Sequence, residues 1–392
     1  MITAHRLALL GLCLLAPAWA HAVQDCEVNG ESVNPNHGGT TAGKTGIMRC
    51  KDRDSGQMMR EQELQNGKFM GQVRYYREGK LQRDYSVNER GNQHGRSREF
   101  APGGQVLRDS TYDNGSQVGL ARSFHTNGQL QRITFYALRE TGGSSSEQAY
   151  AEFNERGQLQ YLRCGDKPVL AAPADDARWC GFSGGASQVE LFSSKGVLNA
   201  RSSYLAGKRV RHETLGDGGK PDYQDEVADN TRTERYFNNA GVKRREVRWL
   251  LDGQTSRSAF KEREQDFADS GTLTRDRQWS GGRPVSDQTF YLNGQPRSKT
   301  EFGGEGESAW LQTTDYFDSG KVARTGRFSA GNRYRQLPLG THQRFNEAGK
   351  LVGESSYDDR GRLTREKAWD DDGKPLRDDA VFEDGSRKAY SK

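Results

Sequence analysis

One short pattern recurs along this chain and limits what it can fold into: an aromatic residue, three residues, a glycine, one residue and an aliphatic. It stands at Tyr75/Gly79/Leu81, Phe100/Gly104/Val106, Phe124/Gly128/Leu130, Phe153/Gly157/Leu159 and Phe192/Gly196/Leu198. It returns at Phe267/Gly271/Leu273, Tyr316/Gly320/Val322, Phe345/Gly349/Leu351 and Tyr357/Gly361/Leu363. Weaker copies are Phe237/Gly241, Phe290/Gly294 and Trp369/Gly373, where Lys243, Pro296 and Pro375 take the aliphatic place. From Phe100 to Phe124 the spacing is 24 residues, a period that belongs to repeat architectures.

After each glycine the residues alternate. Leu273, Arg275, Arg277 and Trp279 take every second place, as do Leu363, Arg365, Lys367 and Trp369. A period of two puts each set on one face of a strand. Asn-Gly, Asp-Ser-Gly and Glu-Arg-Gly between the runs supply the positive φ of tight hairpins. The chain therefore predicts an all-β fold, an antiparallel meander of hairpins. With 32% hydrophobic and 28% charged residues, it lacks the apolar matter for a thick sandwich over 392 residues. An elongated, twisted and curved sheet is expected instead, with Trp279, Trp369, Tyr112 and Tyr204 buried against neighbouring repeats and Arg275 and Arg365 beside aromatic rings.

These residues resemble the bacterial variant of the MORN repeat, which runs Tyr-x-x-x-Gly-x-Leu, a strand, then Tyr-x-x-Gly-x-x-x-Gly. The segment Tyr75 to Tyr136 carries it most clearly, with Gly91, His94-Gly95, Gly115 and Gly119, and the likeness extends with interruptions over residues 58–390. The resemblance implies a binding protein of the antitoxin or immunity type and no enzymatic activity of the repeat itself.

Residues 1–22 have the form of a secretory signal: His5 and Arg6, an apolar run from Leu7 to Leu15, then Ala18-Trp19-Ala20 or Ala20-His21-Ala22 for cleavage. The run is too short to span a bilayer, and no later stretch is apolar enough, so a periplasmic protein without a transmembrane segment is expected. Cys13 leaves with the signal. Cys26, Cys50, Cys164 and Cys180 remain, an even count that favours disulfides in an exported chain. Of the three pairings, Cys26–Cys50 and Cys164–Cys180 each close a Gly- or Pro-rich segment outside the repeat. The expected organisation is an N-terminal cap over 23–57, repeats over 58–162, a stapled insertion over 163–187, and degenerate then regular repeats over 188–392. Residues 137–151 and 215–232 have the composition of long loops.

Basic and acidic side chains, 58 and 53, are interleaved, giving a net +5 with no clustered basic stripe. That excludes a nucleic-acid surface. Gly181-Phe182-Ser183-Gly184-Gly185 matches a hydrolase elbow, but Asp175 to Cys180 before it is no apolar strand. Asp370-Asp371-Asp372-Gly373 suggests a calcium loop, yet Ala368 stands where the first ligand belongs, and an acidic hairpin turn is the stronger reading. No Cys-x-x-Cys spacing, Walker loop or His-Glu-x-x-His occurs, so neither a metal nor a cofactor is expected.

Two functions follow. The first is a periplasmic immunity protein that binds and neutralises an envelope-targeting effector; the resemblance implies a type VI secretion phospholipase as the partner. The second is an envelope scaffold or surface-binding protein with no toxin partner. Repeat positions are committed to stacking, so partner contacts are expected on loops that break the repeat. These are Arg178, Trp179 and Phe182 in the stapled insertion, Glu305, Glu307 and Trp310, and the acidic turn Asp370, Asp371 and Asp372.

Overall fold

At most copies of the motif the aromatic and the aliphatic are cross-strand partners at the base of a hairpin; at Tyr75/Gly79/Leu81 the turn is the two-residue Glu78-Gly79 and Leu81 faces Tyr76 instead. Phe345 stands opposite Leu351, Tyr316 opposite Val322, and Phe267 opposite Leu273. Between them the chain turns in four residues. Asn346 N–H donates to the Lys350 carbonyl at 2.9 Å, and Gly349 N–H returns to the Asn346 carbonyl at 2.8 Å. Gly349 sits at φ +86°, the left-handed region that a side chain resists. An Asn or Asp at the first turn position adds a further bond, as Asn346 Oδ1 does by accepting from Lys350 N–H. One sequence motif thus encodes one turn and the apolar clip beneath it.

The computed structural model describes residues 24–139, 142–251, 259–330 and 336–390. The signal segment 1–22, with Cys13 and both cleavage motifs, lies outside the described residues. The chain divides into two compact units, 1–157 and 158–392. A twelve-stranded antiparallel sheet runs from Glu31–Val33 to Leu159–Arg163, and a seventeen-stranded one from Val189–Phe192 to Arg387–Ala389. Strands pair in sequence order except at the start, where Gln24–Val28 lies between Glu31–Val33 and Gly46–Asp52. Neither sheet closes on itself.

The register explains how a chain with so little apolar matter holds together. In the first sheet, successive cross-strand partners run Glu27, Arg49, Glu61, Arg74, Asp84, Arg98, Asp109 and Arg122, alternating in charge along one face. In the second sheet, one row starts at Glu190, Arg201 and Glu213 and ends at Glu354, Lys367 and Asp378, with every position between them polar. Strand contacts are almost wholly between sheet neighbours. Over most of its length each sheet is a single layer of partly exposed residues, stitched by opposite charges that stabilise by about 0.2–1 kcal/mol per pair.

The aromatics expected to be largely buried lie at two depths. Tyr204 is buried, at 6% exposure, and donates its hydroxyl to the Leu162 carbonyl. Trp279, Trp369 and Tyr112 are only half-buried, because no second layer covers them. Nor does Arg275 lie on a ring: it forks onto Asp287 at 2.8 and 2.5 Å. Arg365 forks onto Asp378 at 2.8 and 2.9 Å while lying 5.1 Å from the Tyr390 ring.

Two segments outside the repeat supply denser packing. Residues 24–52 form three strands whose Cys26, Val28, Val33, Met48 and Cys50 cluster with Leu64 and Phe69. Cys26 and Cys50 face each other in register and are bonded. Cys164 and Cys180 are also bonded. There the short helix Asp176–Trp179 is tied down by Asp176, whose Oδ2 accepts from the Val169 and Leu170 N–H groups at 2.7 and 2.9 Å. The two stretches read as loops from composition are largely strand: Leu130–Leu138 and Ser145–Phe153 cover most of the first, and Pro221–Ala228 fills much of the second. In Ser145–Phe153 the alternation is visible in the burial: Ala149, Ala151 and Phe153 are buried and the residues between them are not.

Candidate binding surface

In a meander, successive turns alternate between the two edges of the sheet. In the second sheet one edge is uniform. Its turns at 193–196, 216–219, 238–241, 268–271, 291–294, 317–320, 346–349 and 370–373 all use the same four-residue geometry with a positive-φ glycine. Side chains bind most of these turns to the next. Asn293 donates to the Asp318 carbonyl at 2.8 Å, Tyr291 to the Tyr316 carbonyl at 2.9 Å, and Lys350 to the Asp371 carbonyl at 2.7 Å.

The opposite edge is irregular. It carries the two-residue turns at 206–207, 229–230 and 281–282, the segment 304–309, and the turns at 358–361 and 382–385. The stapled insertion docks there: Ala206 N–H donates to the Gly181 carbonyl at 3.0 Å and Gly207 N–H to the Cys180 carbonyl at 2.8 Å. Phe182 reaches the same turn, its ring edge 3.0 Å from where a Gly207 Cβ would stand.

The sequence-selected residues therefore fall on two edges. Arg178 is exposed and pairs with Asp175 at 3.2 Å; Trp179 and Phe182 are half-buried beside it. Glu305 and Glu307 are exposed, with Glu305 contacting Arg283 across the gap to the 281–282 turn. Trp310 is half-buried over Gly303 beneath the Arg327 guanidinium, 4.2 Å from its ring centre. These two groups share the irregular edge. The acidic turn lies on the uniform one: Asp370 Oδ1 accepts from the Asp372 and Lys374 N–H groups at 3.0 and 2.9 Å, and Asp371 accepts from Asn346 at 2.8 Å.

One constellation escaped the sequence reading because its members lie on three strands. Ser202, His212 and Asp225 are successive cross-strand partners, and Ser202 Oγ lies 2.8 Å from His212 Nδ1. Only the pairing register could have revealed it. Burial, with Arg209 nearby, holds the imidazole below its ordinary pKa. Ser202 is 2% exposed, and Asp225 is gripped by Arg232 at 2.8 and 3.2 Å. The row is packed and charge-balanced, with no room for a substrate at the serine. Ser183 of the elbow-like motif is exposed, donates to the Ala177 carbonyl at 3.2 Å, and follows a helix rather than a strand.

The same face continues as a dense ionic network. Arg232 bridges Asp225 and Glu234, and Tyr223, pushed up to about 12 by burial and by those carboxylates, donates to Glu234 at 3.1 Å. Further along, Glu264 is 1% exposed and ringed by Arg245, Lys261 and Arg277 at 2.5, 2.7 and 2.7 Å. Burial pushes this carboxyl up, but Lys261, Arg277 and Arg245 outweigh it and hold the group below its ordinary value.

Cavities open on the faces of the described strands. One of about 290 Å³ in the first sheet has a floor of Ser97, Ser110 and Ala121 between Arg108 and Tyr136. Two in the second sheet, about 580 and 1030 Å³, share Asp315 and Arg324. Among the described residues no group of His, Cys, Asp and Glu is placed to hold a metal.

Residues 117–137 and 338–359 match the MORN repeat variant. Both lie in meander hairpins, and they line the 290 Å³ and 580 Å³ cavities respectively. MORN repeats point to a protein-binding or surface-associated role. No curated protein matches the chain. Among solved structures, the crystal structure of TarM is similar at 17% identity over 24% of this chain and 18% of that one, with a TM-score of 0.18. The Photorhabdus luminescens Tc holotoxin pore is similar at 11% identity over 88% of this chain and 24% of that one, with a TM-score of 0.18. The chain spans well under two thirds of the length of either. A crystal structure of the eukaryotic initiation factor is similar at 10% identity over 82% and 97% of the two chains, with a TM-score of 0.17.

Proposed function

We propose that this chain is an exported binding protein of the immunity type, which grips an envelope-targeting effector in the periplasm and blocks it. The observation that supports this reading is the asymmetry of the second sheet. One edge is locked into a uniform, cross-linked spine, while the other carries the stapled insertion and the 304–309 segment. A rigid scaffold with irregular loops gathered on one side suits recognition of a folded partner. Two disulfides fit an oxidising compartment. No helix among the described residues is long and apolar enough to cross a membrane.

The effector class we propose is a type VI secretion phospholipase. Such an enzyme must hold a phosphate, so the acidic Glu305 and Glu307 complement a basic site. The test is expression of a periplasm-directed phospholipase effector, encoded beside this chain's gene, with and without the chain. Survival only with the chain, together with co-purification of the two, supports the reading; equal killing sinks it. A second reading, an envelope scaffold without a toxin partner, draws on the arginines and half-buried aromatics along both sheets. It predicts no rescue, but an altered envelope when the chain is deleted.

A further inference from the structure

The cross-strand rows of these sheets mostly set arginine against carboxylate; where Arg248 faces Arg263, each has a carboxylate of its own, Glu262 and Asp276, but a second arginine pair lacks that compensation. Arg324 and Arg344 are direct cross-strand partners. Arg324 is satisfied by Asp315 at 2.5 Å. Arg344 makes no ion pair or hydrogen bond among the described residues. Its other cross-strand neighbour is Gly353, and beyond that lies Ala368. Like charges placed opposite one another are destabilising, and two small residues stand where a partner would be.

The space so created is the cavity of about 580 Å³, within the range of small-ligand sites. Gly326 and Gly353, both buried in mid-strand without positive φ, form part of its floor. The Arg344 guanidinium covers Gly353, with Nη2, Nε and Cζ 3.2, 3.3 and 3.5 Å from where a Cβ would stand, so its plane lies over the glycine. His342 covers Gly326 in the same way, its Nε2 fixed 2.8 Å from the Arg327 carbonyl. At the end of the cavity away from Arg344, past the His342 ring, the lining is apolar, from Leu311 and Phe328. The remaining charges cancel: Asp315 against Arg324, Glu354 against Lys367 at 3.1 Å, and Glu366 against Arg377 at 2.9 Å. One guanidinium is left uncompensated.

We propose that this cavity binds a monoanionic oxyanion joined to an apolar group, either a carboxylate or a phosphodiester, with Arg344 as the anchor. A planar fork of N–H donors matches either anion with two parallel bonds. Asp315 and Glu366 disfavour a second negative charge. The apolar wall takes the attached group. This inference does not depend on the immunity reading.

The test is calorimetric titration of the full chain with hexanoate and with dibutyl phosphate, acetate and inorganic phosphate serving as head groups alone. We expect one equivalent of hexanoate, dibutyl phosphate or both to bind, and to bind more tightly than the matching head group; which of the two binds identifies the anion. Arg344→Gln should weaken binding at least tenfold, Arg344→Lys less, and Ala368→Leu should block it by filling the floor. Arg297→Gln, outside the cavity, should leave it unchanged, with matched melting curves confirming that every variant folds. No binding of either amphiphile, or equal affinity in Arg344→Gln, overturns the proposal; acetate binding as tightly as hexanoate removes its apolar part.

Discussion

Arg277 donates a 2.7 Å hydrogen bond to Glu264 on the adjoining strand, and that carboxylate is 1% exposed although no second layer lies above it. The cover is made by the stems of its own partners, Arg245, Lys261 and Arg277. Replacing Glu264 by Ala takes the shared carboxylate from Arg245 and Lys261 and leaves Arg277 only Asp266 at 3.4 Å. Loss of one side of a buried ion pair costs about 3–5 kcal/mol, so the midpoint of urea unfolding should fall accordingly. An unchanged midpoint would show that water already satisfies these cations.

The same residue sets a pH dependence. Its folded pKa lies below its ordinary value, so the stability it contributes is present above the unfolded carboxylate pKa of about 4.3 and is lost as pH falls through the folded value. Glu264→Gln should therefore lose less stability than the parent between about pH 6 and about pH 3. Parallel losses would mean that other carboxylates govern the acid limb.

Glycines in this chain serve two different ends, and substitution separates them. Gly115 lies at φ +90° with open space around it, so Gly115→Ala should cost about 1–2 kcal/mol through backbone strain alone. Gly326 lacks positive φ, but an added Cβ would stand 2.9 Å from His342 Nδ1, in a ring held between Phe328 and Tyr357. Gly326→Ala should cost about 1–3 kcal/mol by crowding. Removing the His342 ring should relieve the second variant and leave the first untouched, which a double-mutant cycle measures.

That contrast marks how far the sequence was legible. The aromatic–glycine–aliphatic motif is local, so strand, turn and strand could be read from it, and the all-β meander followed. Gly326, Arg344 and the Ser202–His212–Asp225 row draw their meaning from register, which pairs residues that no local pattern connects. The depth at which Trp279 and Trp369 lie was not legible for a related reason: alternation reveals a face but not how fully it is covered. The carboxylates opposite the arginines were visible as composition, and only pairing showed that they form rows. Likewise the candidate loops could be named in order, while their division between two edges needed the strand count.

The disulfide Cys164–Cys180 holds the insertion against the 206–207 turn. Replacing both cysteines by Ala should destabilise by about 3 kcal/mol on the chain-entropy estimate for a loop of this size. Because Phe182 packs on Gly207, the change should also raise protease cleavage between residues 165 and 185 before the sheet itself unfolds. Cleavage at the parent rate would mean that Asp176 and the backbone bonds hold the insertion without the bridge.

The last prediction assigns effector binding to one edge. If the irregular edge of the second sheet carries the contact, a few anchors there should dominate, since fewer than about a third of interface residues usually cost more than 1 kcal/mol on truncation. Trp179 and Phe182 offer ring area on a stapled, low-entropy platform, and Arg178 stands exposed beside them. Changing all three to Ala should lower effector affinity by at least about 30-fold, equivalent to a 2 kcal/mol hot spot. Glu305→Lys with Glu307→Lys should slow association most, and the loss should shrink in high salt. Asp371→Asn with Asp372→Asn, on the opposite edge, should change affinity by less than about threefold, because Asp371 already serves its neighbouring turn. Affinity for the effector, measured by biolayer interferometry on folded variants, decides the matter. A reversed order, with the acidic turn dominant, would move the binding surface to the uniform edge.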